Sequence, residues 1–124
     1  MSLVPDGLKY TKDHEWAKFE GAVATVGVTD HAQRELGDIV FVELPKVGAT
    51  VKSGQSFGTI EAVKTVAELY APVSGTIAEV NTALSADAGV INQDPYGTGW
   101  IIKVKVDKPS EEGLMDAAGY KALI

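Results

Sequence analysis

Between Phe57 and Asn81 the chain sets two short runs of β-branched residues on either side of one cation, Lys64, with Glu61 before it and Glu68 after it. Two geometries fit that spacing. In a helix, Glu61 and Glu68 lie three and four residues from Lys64 and could pair with it, each pair adding roughly 0.2–0.5 kcal/mol. Against this, Thr59, Ile60, Val63, Thr65 and Val66 lose side-chain freedom in a helix but suit a pleated surface. No Ser, Asp or Asn caps a start just before Ile60, and Pro72 and Gly75 close the segment as a turn. The balance favours two strands joined by a tight bend, with Lys64 at or near its tip. That bend carries none of the Asn-Gly or Asp-Gly pairs that primed hairpin turns prefer.

Bulk composition narrows the function classes. A chain of 124 residues is expected to form one domain, because two halves would each be short of core. Its longest apolar run falls well short of a membrane span, so a soluble protein with no membrane partner is expected. The opening Met1-Ser2-Leu3 has neither a basic-then-apolar secretion pattern nor an Arg-rich presequence, which points to bacterial cytoplasm ahead of the mitochondrial matrix. A net charge of −6 with scattered basic residues argues against nucleic acid, whose phosphates need clustered Lys and Arg. Cysteine is absent, which removes disulfides, a thiolate nucleophile and cysteine-based metal or redox sites. Redox chemistry would have to come from an attached group.

Taken in order, Tyr10–Phe19 and Ala22–Val28 read as a hairpin around Gly21. Thr29 and Asp30 offer N-caps, Asp30 with Gln33 resembles a capping box, and Gly37 suits a helix stop. Ile39–Leu44 reads as a short strand halted by Pro45, followed by turn chemistry at Val47-Gly48 and Ser53-Gly54. Thr76–Asn81 reads as a strand, Thr82–Asp94 as a polar, alanine-rich connection and Asp94–Gly99 as a turn. Trp100, Ile102, Val104 and Val106 alternate with Ile101, Lys103 and Lys105, the pattern of a half-buried strand. After Pro109, Ser110-Glu111-Glu112 can open a helix, and Asp116–Leu123 can add a further turn or two, giving a helical extension over about 109–124. Short strands separated by Gly and Pro turns, with short helices at the end, suggest a mostly β sandwich or flattened barrel. His14 and His31 lack further ligands at metal-site spacing, so no metal is expected. Trp16 and Trp100 fall on alternating patterns and are read as core.

A lysine at a hairpin tip is by default a solvated charge. Resemblance changes that reading. Ile60-Glu61-Ala62-Val63-Lys64-Thr65, followed by Tyr70-Ala71-Pro72-Val73-Ser74-Gly75-Thr76-Ile77-Ala78-Glu79-Val80-Asn81, is similar to the lipoyl-attachment segment of the glycine cleavage system H proteins. Lys9–Trp16, Gly27–Gln33, Leu36–Pro45 and Pro95–Trp100 resemble blocks of the same family in the same order, so the likeness covers nearly the whole chain.

The resemblance implies a lipoyl-domain-like barrel-sandwich hybrid with short helices, including C-terminal helical segments. It implies a non-catalytic carrier with lipoate held covalently on Lys64, and Glu61, Val63 and Thr65 as the neighbours a lipoate ligase or octanoyltransferase reads. It also implies three enzyme partners. A pyridoxal-phosphate glycine decarboxylase (P protein) would load an aminomethyl group. A tetrahydrofolate-dependent aminomethyltransferase (T protein) would remove its carbon, and dihydrolipoyl dehydrogenase (L protein) would reoxidise the dithiol. Asp13, Glu15 and Glu68 match positions of the pocket that shields the loaded arm from water, although Asp13 stands where a serine can occur and Glu68 where an aspartate is frequent. The bland alternative for these three is a solvated surface carboxylate.

Other readings of Lys64 remain to be separated. A biotin carrier would flank the lysine with methionines, whereas Val63 and Thr65 stand here. A carrier of the same type could serve lipoate relay without glycine turnover. A Schiff-base enzyme would need Lys64 desolvated enough to lose its proton near neutrality, which Glu61 and Glu68 would oppose if close.

Overall fold

The computed structural model describes residues 3–106 and 113–124. The strands, in chain order, are β1 (Lys9–Tyr10), β2 (Glu15–Glu20), β3 (Val23–Val28), β4 (Ile39–Glu43), β5 (Thr50–Val51), β6 (Ser56–Ala62), β7 (Val66–Tyr70), β8 (Gly75–Val80) and β9 (Ile102–Lys105). Among the described residues four short helices accompany them: α1 (Asp30–Leu36), α2 (Ala83–Ala86), α3 (Val90–Gln93) and α4 (Ala117–Leu123). Six strands form one sheet in the order β1-β2-β3-β9-β8-β5, and three form a second in the order β4-β6-β7. All pairings are antiparallel. Ala24, Val26, Ile77 and Val104 of the larger sheet and Val42, Ile60 and Leu69 of the smaller one belong to one buried cluster. The expected β sandwich with short helices is therefore what forms.

Local chemistry explains the elements that frame the lysine. Thr29 Oγ1 accepts the Ala32 N–H at 3.1 Å and so caps α1. Asp30 is not the cap. It stands inside the first turn, where its carboxylate accepts from Leu3 N, Gln33 Nε2 and Arg34 Nε, and these bonds together with Arg34 hold it below the usual carboxylate range against the opposing effect of burial. Gly37 ends the helix at φ +79°, a conformation costly for any residue with a Cβ. The smaller sheet then carries Lys64 outward on the β6–β7 hairpin.

Four sequence expectations are revised. Tyr10–Phe19 is not one strand but β1 and β2 folded on each other, Lys9 opposite Ala17 and Tyr10 opposite Trp16, because the chain reverses at His14, whose φ is +68°. Thr82–Asp94 contains the helical turns α2 and α3, anchored by buried Leu84 and Ile91. The strand expected over 100–106 shortens to β9, and Ile101, on its nominally outer face, is fully buried. The helix start expected at Ser110-Glu111-Glu112 lies outside the described residues. Trp16 is core, with its Nε1 donating to Pro95 O at 3.0 Å. Trp100 is half-buried, with Lys103 Nζ 5.1 Å from the ring centroid.

The smaller sheet has little tolerance beside Gly58. A Cβ there would run into the Glu43 carbonyl oxygen, so a methyl forces β4 and β6 apart. Gly58→Ala is expected to lower unfolding stability by about 1–3 kcal/mol, read from the urea midpoint. A change within about 0.5 kcal/mol, normal for an unconstrained surface position, would show that the strands part freely.

Candidate functional site

Lys64 stands in the bend between β6 and β7 and is exposed. The hairpin is closed by Ala62 N donating to Thr65 O at 2.8 Å and tethered by Val63 N donating to Asp38 O at 3.0 Å. Among the described residues no ion pair joins Lys64 to Glu61 or Glu68, so the helical pairing has no counterpart. Glu61 points outward from β6 between Phe41 and Val66. Val63 is 75% exposed and Val66 62% exposed, an unusual cost for aliphatic side chains beside a charge. Thr65 is exposed as well.

The lysine leans toward α1. A methyl built on Gly37 would come within 3.4 Å of Lys64 Cε and 3.8 Å of Nζ, placing the ammonium near a helix C-terminus, where the backbone dipole favours positive charge. The preceding residue, Leu36, lines a cavity of about 160 Å³. Its apolar wall is Val28, Ala32, Leu36, Ile60, Ala67 and Leu69, and its polar groups are Asp13, His14, Glu15, Glu35 and Glu68. Lys64 and the cleft therefore meet neighbouring residues, Gly37 and Leu36, at the end of α1.

The three carboxylates expected from sequence converge on this one cleft, in different states. Glu15 is 2% exposed. Its Oε1 accepts from Thr11 Oγ1 at 2.8 Å, and its Oε2 accepts the Tyr70 N–H at 3.3 Å. Burial pushes its carboxyl up to about 8, the nearby Asp13 adds to the rise, and the two hydrogen bonds oppose it. The solvated-carboxylate alternative thus fails for Glu15. Asp13 and Glu68 are exposed, and Glu68 accepts a hydrogen bond from Ser56 Oγ.

Residues that the sequence did not single out complete the site. Glu35 lies at the α1 side, with His31 Nε2 3.3 Å from its Oε1. Its signal was present in the i, i+4 pair Ala32 and Leu36, which marks the inner face of α1 and puts Glu35 on its border. Tyr120 has its hydroxyl 2.8 Å from His14 Nδ1, and nothing local in the sequence links those two positions. Among the described residues no group of His, Asp or Glu has metal-site geometry, and no helix is long and apolar enough to cross a membrane.

Chemically, the cleft suits a slender apolar chain ending in a cation. Its aliphatic wall gives an apolar chain a place to lie, and Glu15 among its lining residues brings a buried carboxyl that gives an ammonium a partner. The apolar chain of a lipoyl group matches that lining in character.

Comparison with known proteins bears on the same point. A family model described as glycine cleavage H-protein matches residues 8–124. The chain is similar to the glycine cleavage system H protein of Chlorobium phaeovibrioides, at 59% identity covering 98% of this chain and 97% of the relative. It is similar to that of Myxococcus xanthus at 52% identity, covering 98% and 95%. Among solved structures, a glycine cleavage system H protein from Mycobacterium marinum superposes with a TM-score of 0.88 at 45% identity, covering 96% of this chain and 97% of that one.

Proposed function

Because the chain belongs to the glycine cleavage H-protein family, whose members are non-catalytic lipoyl carriers, we propose that Lys64 is the residue acylated by lipoate and that the cleft is the dock for its loaded end. In this reading the cargo is the aminomethyl group of glycine. It is received from the pyridoxal-phosphate glycine decarboxylase and passed to the tetrahydrofolate-dependent aminomethyltransferase, with dihydrolipoyl dehydrogenase resetting the arm. Lipoate supplies the reducible sulfur pair that a cysteine-free chain lacks.

The observation that carries the reading is the pairing of an exposed amine at a hairpin tip, beside the end of α1, with a cleft lined by that helix and by the buried Glu15. Each part has a task. The bend offers one nitrogen to pockets on several enzymes, and exposed Glu61, Val63 and Thr65 give a lipoate ligase or octanoyltransferase a surface to read around it. The aliphatic wall excludes water from a cargo that water would hydrolyse. Glu15 is protonated while it faces no cation and gives up its proton when an ammonium arrives, since an opposite charge within a few ångströms favours the ionised form. The resulting charge-assisted hydrogen bond is worth about 1.5–3 kcal/mol.

The test is cargo lifetime. Loaded wild-type carrier, Glu15→Gln and Glu68→Gln are freed from the decarboxylase, and formaldehyde release is followed. Loss of the Glu15 interaction should shorten the half-life by about tenfold or more, the factor that corresponds to 1.4 kcal/mol, with a smaller effect for exposed Glu68. Equal lifetimes in all three would remove the cleft from the mechanism.

A further inference from the structure

Tyr120, on α4, is fully buried and distant in sequence from the cleft, yet it touches both sides of it. Its hydroxyl is 2.8 Å from His14 Nδ1 and 2.7 Å from Thr29 Oγ1. His14 lies between Asp13 and Glu15, and all three residues line the cleft. His14 turns the chain there with a left-handed φ of +68°, and among the described residues it is the only non-glycine with positive φ. Thr29 caps α1, which supplies Ala32, Glu35 and Leu36 to the facing wall.

We infer that Tyr120 is the positioning residue of the cleft: a single phenol hydroxyl, held from α4, fixes the distance between the His14 turn and the start of α1. This rests on the reading of the cleft as the arm's dock. Proton accounting supports it. Thr29 Oγ1 accepts the Ala32 N–H and donates its own proton to Tyr120, and Tyr120 donates to Nδ1 of a neutral His14. Burial and the neighbouring His31, whose ring centroid is 4.7 Å away, lower the His14 pKa against the opposing pull of Asp13 and Glu35, which favours the neutral ring. The two walls also meet through the backbone, where Thr29 N donates to His14 O at 3.0 Å. A left-handed histidine persists only where its surroundings over-determine it, and the Tyr120 hydroxyl is the side-chain share of that constraint.

Tyr10 supplies the control. It stacks on Tyr120 at 4.8 Å and is equally buried, but its hydroxyl donates to Pro5 O, away from the cleft. Amide hydrogen exchange on the unmodified full-length chain, for wild type, Tyr120→Phe and Tyr10→Phe, separates the two roles. Tyr120→Phe should speed exchange about tenfold at Glu15, Thr29 and Ala32 together, while the amide of Ile124, which follows α4 and donates to Tyr120 O, keeps its protection. Tyr10→Phe should leave Glu15, Thr29 and Ala32 unchanged. Equal loosening by both variants, loosening confined to α4, or no change in either would overturn the inference. Should Tyr120→Phe not fold, His14→Asn, which tolerates the left-handed conformation but drops the Nδ1 link, should loosen Glu15 and spare Ala32; loosening of neither would overturn it. Cargo lifetime distinguishes the two readings. If Glu15→Gln shortens it and Tyr120→Phe does not, the positioning role alone fails; if Glu15→Gln leaves it unchanged, the docking reading fails, and the exchange data still decide whether the hydroxyl holds the walls.

Discussion

A chain carrying Lys64→Arg is expected to fold normally and to transport nothing. Lys64 is exposed at a bend whose closing hydrogen bonds are all between backbone groups, so the replacement should cost no more than about 0.5 kcal/mol, or roughly 2 °C in the thermal midpoint. Arginine keeps the charge and much of the stem. It cannot shed its proton to present a free lone pair, because the guanidinium stays ionised in proteins. Glycine-dependent release of carbon dioxide in a mixture of decarboxylase, transferase and dehydrogenase should therefore drop to the level seen without carrier. Adding excess variant should not restore it. Partial transport would mean that a second lysine accepts lipoate. Loss of the fold would mean that the Lys64 stem, which lies against Gly37, supports the hairpin.

The second large effect is a pH dependence that Glu15 imposes on stability. In the folded chain its carboxyl titrates at about 8, against 4.5 for an ordinary glutamate. Between those values the folded state holds a proton that the unfolded state has released, so by linkage stability falls as pH rises. The contribution is complete below about 4.5 and is lost through about 8, with a slope of up to about 1.4 kcal/mol per pH unit. His14 works in the opposite direction. Its pKa is lowered in the fold, so its contribution is present above the ordinary histidine value and lost as pH falls. Comparing wild type with Glu15→Gln cancels His14 and every other group. The glutamine keeps one acceptor oxygen, for the Tyr70 N–H, turns its amide toward the Thr11 hydroxyl and cannot ionise, and its stability relative to wild type should rise steadily from pH 5 to about pH 8. Parallel profiles would mean that Glu15 is ionised throughout. In the docking reading the same property matters for transport, because a neutral Glu15 takes on charge only when a cationic cargo reaches it.

How much of this was legible in the sequence differs from place to place. The lysine hairpin was readable from its β-branched arms and from Pro72 and Gly75, despite the missing Asn-Gly pair. The structure explains why that pair is unnecessary. Neither Val63 nor Lys64 takes a positive φ, so no primed turn is made, and the bend is fixed instead by the tertiary bond from Val63 N to Asp38 O. Helix α1 was readable at both ends, though the choice of Thr29 over Asp30 as cap depended on where Leu3 and Arg34 would lie.

Other features had no local signature. The turn at His14 gave no warning, because the left-handed conformation is imposed by the backbone bond from Thr29 and by Tyr120, more than a hundred residues away. Strand alternation puts Glu15 opposite core Trp16 and therefore outward, yet the β7 backbone at Tyr70 and the Thr11 hydroxyl cover it. The carboxylates could be matched to positions by resemblance. That one would be buried and neutral while two stayed in water followed only from the packing around them.

Intact mass followed by peptide mapping is the most direct test of the central claim. The chain is coexpressed with a lipoate ligase and lipoate, and separately with a biotin ligase and biotin. The account predicts one lipoyl increment in the first case, mapped to Lys64, and none in the second. A biotin increment, or a lipoyl increment on any other lysine, would contradict it.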